Sequence, residues 1–321
     1  MELKDITGKS ILLGLSLYED ETHLVRFTQS LCQSLRAKLL LTHILKPFHY
    51  YAYAGEAPVF PLDTYGPIMD ELDEENAQKL LSKIQEGLDV ESDIIVKRDS
   101  LIEGIEEVAE KGKAGLIVLG SNYSNSVWQG LSTSISLMRG SSFPVLVVPQ
   151  GCDQITKPDL TIYCGDDLTD SCNSIMSYAR DLALALKADH LLHYHIHDMS
   201  EQDIKRITDH IKNAVILGKM PEEELSKVET YRERVIEQTL EQLKIRYERL
   251  QGAESLNVER NVLFGEAAEE LTKLISKDDK PKLLIFGKHH IFRPESLSLG
   301  RLPYPTMLEL GAAVMVCPSD S

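Results

Sequence analysis

The sequence predicts an α/β fold, an open parallel sheet with helices on both faces, and it predicts that fold twice. Three observations carry this. First, apolar runs of strand length end in glycine or small residues, as in Ile11-Leu-Leu-Gly-Leu-Ser16, Ala114-Gly-Leu-Ile-Val-Leu-Gly-Ser121 and Lys282-Leu-Leu-Ile-Phe-Gly287. Runs without polar alternation read as strands buried on both faces, which is the mark of a central parallel strand. Second, such runs alternate with segments of helical period, and β-α alternation implies a parallel sheet with crossover helices. Third, the series in residues 1–150 recurs in residues 159–321, with Gly151–Pro158 as the linker.

In the first copy, a strand over Ile11–Ser16 leads through the turn Leu17–Asp20 into a helix over Glu21–Leu35, where Leu24, Phe27, Leu31 and Leu35 recur at helical spacing. Lys38–Leu45 is the second strand. Pro47–Pro67 is a long loop carrying Tyr50, Tyr51, Tyr53, Phe60 and Tyr65. Loops of this length are lids or flaps packed on protein, and the flap is the reading preferred here. A helix over Ile68–Leu88, a strand over Asp93–Lys97, a helix over Leu101–Lys111 and the strand ending at Gly120 follow. The loop Ser121–Gly130, a helix over Ser132–Arg139 and the strand Pro144–Val148 complete the copy.

In the second copy, the strand Leu160–Cys164 runs into Gly165-Asp166-Asp167, and Met176, Ala179, Leu182 and Leu186 mark one face of a helix over Ser171–Leu186. His190–His197 is the next strand. A longer helical region follows, with a restart at Met220-Pro-Glu-Glu-Glu224. Proline suits the first helical position there, and the carboxylates suit the positive end of the helix dipole. One helix to about Leu250 is expected, docking on the sheet through Leu225, Val228, Val235, Leu240, Leu243 and Tyr247. The strand Val258–Leu263, a helix opened by Gly265-Glu-Ala-Ala-Glu-Glu-Leu271, the strand Lys282–Gly287, a short helix and the strand Ala313–Cys317 complete the series.

Composition bounds the function. A net charge of −16 repels phosphate backbones and anionic lipid at long range, so neither nucleic acid nor membrane is expected as a partner. No apolar run approaches a membrane span, and the amino terminus lacks a hydrophobic signal core. The five cysteines are scattered, without a C-x-x-C pair, which fits a reducing cytoplasm. No G-x-S-x-G elbow and no G-x-x-x-x-G-K-[ST] loop is present, and no carboxylate pair is singled out by position, so catalysis has no support.

The residues after the fourth strand of the second copy, Gly287-Lys-His-His290 and then Gly300-Arg301, keep a distinctive spacing. They resemble the nucleotide loop of the universal stress protein family, whose nucleotide-binding members carry G-x2-G-x9-G-[ST] there and an aspartate at the end of strand one. Glycines let backbone N–H groups wrap phosphates, and the following helix presents its positive end. Here Gly287 and Gly300 hold the first and third glycine positions, His290 replaces the second, and Arg301 replaces the Ser/Thr. Asp166 or Asp167 stands for the aspartate, and Asp166 is taken as the site residue. In the first copy Ser16 replaces the aspartate, Tyr123 and Leu131 replace two glycines, and Ser132 keeps the hydroxyl. A non-glycine residue in a left-handed position costs about 1–2 kcal/mol, so the first copy is expected to have lost nucleotide. Gly265–Leu271 also resembles the family's G-x-P-A-x-x-I helix opening, with Ala267 in place of proline.

The resemblance implies two five-stranded domains of strand order 3-2-1-4-5, paired as an internal pseudo-dimer whose last strands meet antiparallel. The function it implies is a cytoplasmic stress-response protein with degenerate nucleotide motifs, acting by binding or regulation without turnover. The alternative is an ATP-binding sensor, with nucleotide in the second domain on Asp166, Gly287, His290, Gly300 and Arg301 and with slow hydrolysis. A further alternative is a metal module built from His190, His193, His195, His197, His210, His289 and His290. Strands two and four are separated by strand one in this fold, which disfavours that cluster, and no metal ligand is assigned.

Overall fold

The computed structural model describes residues 9–46, 62–121, 133–152, 155, 160–170, 172–249, 256–277, 281–287 and 311–318. Along the chain run β1 (Ser10–Gly14), α1 (Thr22–Leu35), β2 (Lys38–Leu45), α2 (Leu62–Gln85), β3 (Ser92–Arg98), α3 (Leu101–Lys111), β4 (Ala114–Gly120), α4 (Thr133–Gly140) and β5 (Val145–Val148). They are followed by β6 (Thr161–Gly165), α5 (Cys172–Leu186), β7 (His190–His197), α6 (Glu201–Ile216), α7 (Glu223–Glu229), α8 (Tyr231–Glu248), β8 (Val258–Phe264), α9 (Ala267–Ser276), β9 (Lys282–Gly287) and β10 (Ala312–Cys317).

The strands of the two copies, expected as two five-stranded sets whose last strands meet antiparallel, lie in one ten-stranded sheet, in the order β3-β2-β1-β4-β5-β10-β9-β6-β7-β8. The cause is the pairing of β10 with β5, which runs antiparallel with Val314 opposite Val147, Met315 opposite Leu146 and Val316 opposite Val145. The other strand pairs are parallel. All four residues of β5 and all six of β10 are buried. Both strands are apolar at every position, so each has to be covered on both faces and along its edge.

The hydrophobic core on one face runs across this seam without a break, from Phe27 through Leu146 and Met315 to Tyr178. The other face carries a second core, including Leu12, Ile105, Val145, Val314 and Leu271. The two copies also share their local chemistry. Helices α1 and α5 each end on a basic residue in the left-handed region, Arg36 at φ 52° and Lys187 at φ 52°. In each case the next amide returns to the helix, Ala37 N–H to Cys32 and Ala188 N–H to Ala183, so carbonyls orphaned at the helix end are satisfied.

The insert between β7 and β8 departs from the expectation. The predicted single helix from Pro221 to Leu250 is two helices, α7 and α8, meeting at Thr230, and α6 precedes them as a separate helix with no buried residue. On α8 the buried residues are Thr239, Leu243 and Tyr247, so only its carboxyl-terminal part docks on the sheet. The first half of the stripe is too interrupted by charge to be covered: Val235 and Leu240 are half-buried. Among the described residues no helix is long and apolar enough to cross a membrane.

Candidate functional site

The carboxyl ends of the parallel strands form an edge in each copy, and β1 and β6 are the points where the chain turns to opposite sides of the sheet. Ligands of open α/β sheets bind at such switch points. Register aligns the two edges residue by residue. Gly14 pairs with Thr42 and Leu119, and Gly165 pairs with Tyr194. The amide of Leu15 donates to Thr42 and that of Asp166 donates to Tyr194. His43 Nδ1 donates to the Leu15 carbonyl at 2.8 Å, and His195 Nδ1 donates to the Asp166 carbonyl at 2.7 Å. Leu15 and Asp166 are therefore counterparts, as are Thr42 and Tyr194, and the counterpart of Ser16 is Asp167.

In the first copy this edge holds a cavity of about 170 Å³. Gly14, Leu15 and Ser16 form its floor, Thr42 and Ile44 one wall, Leu101 and Ile105 another, Leu119 and Gly120 the side toward β4, and Glu21 and Ser134 complete the lining. Thr42 is fully buried, and its hydroxyl has no hydrogen-bond partner among the described residues. Leaving a buried hydroxyl unpaired costs about 1–3 kcal/mol. Glu21 closes the turn after β1: one of its carboxylate oxygens accepts from the amides of Ser16 at 2.8 Å and Leu17 at 3.1 Å. Leu17 sits at φ 61°, a left-handed conformation that this bond helps to hold.

In the second copy larger side chains occupy the same place. Tyr194 stands for Thr42 and Phe286 for Leu119, and both are buried. A Cβ built on Gly165 would meet the Tyr194 hydroxyl at 3.1 Å and the Phe286 ring at 3.5 Å. The Tyr194 hydroxyl has no hydrogen-bond partner among the described residues, and burial pushes its pKa well up.

Asp166 faces the opposite side of the sheet, beneath α5 and α8. Its side chain is wholly enclosed beside that of His193, whose Nε2 donates to Oδ2 at 2.9 Å. The Leu168 amide donates to Oδ1 at 2.7 Å, and Arg246 Nη1 lies 3.6 Å away. Burial alone would raise this carboxyl, but His193, the Leu168 N–H and Arg246 together hold it below the ordinary 3.8. Arg246 is the tie that brings α8 down, donating also to the carbonyls of Thr169 at 2.7 Å and of Leu168.

Asp166, Asp167 and Cys172 bring potential ligand atoms within 4.8 Å of one another. The donor set suits a metal poorly. Asp166 is committed to His193 and Leu168, a guanidinium stands beside it, and burial pushes the Cys172 thiol up and so holds it protonated. The described histidines of the second copy are likewise spread out. His190 Nδ1 lies 2.8 Å from the Asn257 amide, and His197 stacks on Phe264 at 5.3 Å. Burial, helped by His195, pushes His197 below the ordinary 6.5.

Of the residues expected to hold nucleotide, Asp166 is placed as above, and Gly287 ends β9, buried and opposite Cys317. His290, Gly300 and Arg301 lie outside the described residues, as do His289, Tyr123, Leu131 and Pro47–Phe60. Sequence reading missed Thr42, Glu21 and Arg246. Glu21 had a signal in its distance of a few residues beyond a strand end, where a carboxylate can cap the turn. Arg246 had one as the lone cation on the Leu243–Tyr247 face of a docking helix. Thr42 had none, since a threonine within an apolar strand is ordinary.

Comparison with known proteins agrees with the fold. Residues 8–149 match the model of the Universal stress protein family. A universal stress protein from Archaeoglobus fulgidus superposes with a TM-score of 0.57 at 12% identity, covering 98% of each chain. A functionally unknown protein from Pseudomonas aeruginosa superposes with a TM-score of 0.57 at 15% identity, covering 99% of this chain and 95% of that one. At such identities the likeness establishes the fold alone. No curated protein sequence matches the chain.

Proposed function

We propose that this chain is a tandem universal stress protein, two domains fused so that each serves as the other's dimer partner, working by binding or regulation without turnover. The observation that carries the reading is the antiparallel β5–β10 seam, which joins two sets of strands in the same relative order and continues one core across both. Loss of nucleotide chemistry in the second domain is supported by the Tyr194 and Phe286 side chains at its switch point and by the burial of the Asp166 carboxylate away from that crevice. A cytoplasmic, stress-linked role belongs to the same reading.

The test is to denature freshly purified protein in acid and analyse the supernatant for adenine nucleotide, alongside phosphate release from ATP by the native protein. The reading predicts neither above background. Stoichiometric ATP on the wild type that is absent from folded Gly300→Leu would favour an ATP sensor in the second domain.

A further inference from the structure

The first-copy cavity is lined by Ile44, Leu101, Ile105 and Leu119 with Ser16, Glu21 and Ser134 at its polar side, is closed below by the sheet, and holds one buried hydroxyl, that of Thr42, without a partner among the described residues. Its second-copy counterpart has been filled by larger side chains, whereas this one has been left open next to Thr42. We propose that this crevice binds a small uncharged molecule of the size of phenol or indole, carrying one hydrogen-bonding group for Thr42, and that it does not take a phosphorylated nucleotide.

Three features set the ligand class. Volume comes first: a cavity of roughly 150 Å³ accommodates benzene, and the present one is slightly larger at about 170 Å³. Polarity is the second. Ile44, Leu101, Ile105 and Leu119 offer apolar contact. Of the polar lining groups, the Glu21 carboxylate is held by the Ser16 and Leu17 amides, Ser16 Oγ accepts from the Tyr18 amide, and Ser134 Oγ donates to the Gly120 carbonyl, which leaves Thr42 Oγ1 to offer one directional bond. Charge is the third. The amides of Ser16 and Leu17, which an anion at the strand end would use, are already taken by the Glu21 carboxylate. A phosphate would have to displace that carboxylate or sit beside it, and like charges at contact distance repel.

The inference deepens the reading of the chain as a binding protein and rests on it. It is tested by calorimetric titration of phenol, indole, toluene and Mg-ATP into the full chain and into two variants, with circular dichroism as the folding control. Leu119→Phe introduces the second copy's side chain and fills the crevice. Thr42→Val keeps the shape and removes the hydroxyl. The expected result is saturable binding of phenol or indole by the wild type, at least tenfold weaker in Leu119→Phe. Thr42→Val should weaken phenol about tenfold and leave toluene unchanged. No saturation with phenol or indole, equal binding by folded Leu119→Phe, or Mg-ATP binding that Leu119→Phe abolishes would each overturn the proposal. Failure of the aromatic probes in a protein that also leaves ATP unbound and intact removes the ligand assignment and spares the reading beneath it, whereas ATP turnover removes that reading.

Discussion

Replacing His193 by leucine should be among the most damaging single changes in the second half of the chain. Asp166 and His193 both have side chains with no solvent exposure, and the bond between them is 2.9 Å. His193→Leu leaves the carboxylate with the Leu168 amide and a guanidinium at 3.6 Å. Breaking a buried pair by removing one partner costs about 3–5 kcal/mol, and the surviving contacts put this case near the lower bound, about 3 kcal/mol. Asp166→Leu strands a buried imidazole whose Nδ1 already lacks a partner among the described residues, at about 1–3 kcal/mol. The first copy shows what the pair replaces. Leu15 stands at the position of Asp166, and Leu41, one residue before Thr42, stands at that of His193; both are buried in the core. The double variant Asp166→Leu/His193→Leu should therefore be more stable than His193→Leu alone, with a coupling of about 2–3 kcal/mol. Urea unfolding of the four proteins followed by circular dichroism reads this directly. Additive single effects, with the double variant the least stable, would refute the assignment of Asp166 and His193 as one buried pair.

Other consequences follow from the same geometry. The Asp166 carboxyl is held below 3.8 in the fold, so its contribution is present above that value and is lost as the pH falls through the lower folded value; acid unfolding of the wild type should be steeper below pH 3.8 than that of the double variant. His197 is held below 6.5, so the fold favours its neutral form and its contribution is lost as the pH falls below 6.5. His197→Phe, which keeps an aromatic ring against Phe264, should flatten stability measured between pH 7 and pH 5. Thr42→Val removes an unpaired buried hydroxyl and should stabilise the ligand-free protein by about 1 kcal/mol, seen as a rise in its urea midpoint. Native protein should release thiol-reagent colour rapidly from Cys152 alone, because Cys32, Cys164, Cys172 and Cys317 are buried and burial pushes their thiols up. Fast reaction of a second cysteine in the folded chain would contradict that placement.

The fold was largely legible because its signals are local. Continuous apolar runs ended in glycine, helices such as Leu101–Lys111 matched their predicted bounds, and the series repeated. The single ten-stranded sheet is not local information. It depends on β5 and β10 meeting at their edges, which the resemblance implied and the chain order does not. The insert was misread at Thr230 because charge and apolar residues continue through α7 and α8 in one helical period, and no proline or glycine marks the break. The candidate site was less legible still. Sequence motifs pointed to the second copy, while the cavity lies in the first, where two residue sizes, Thr42 against Tyr194 and Leu119 against Phe286, decide whether space remains. Size complementarity across three strands has no signature in one dimension. Asp166 was singled out for the end of strand one, but strand alternation turns its side chain toward α5 and α8.

The central claim is binding without turnover. Isothermal titration of Mg-ATP into nucleotide-stripped protein tests it most directly. The account predicts no saturable heat up to millimolar ATP and no shift in melting temperature. Saturable one-to-one binding in the micromolar range, accompanied by release of phosphate, would contradict it.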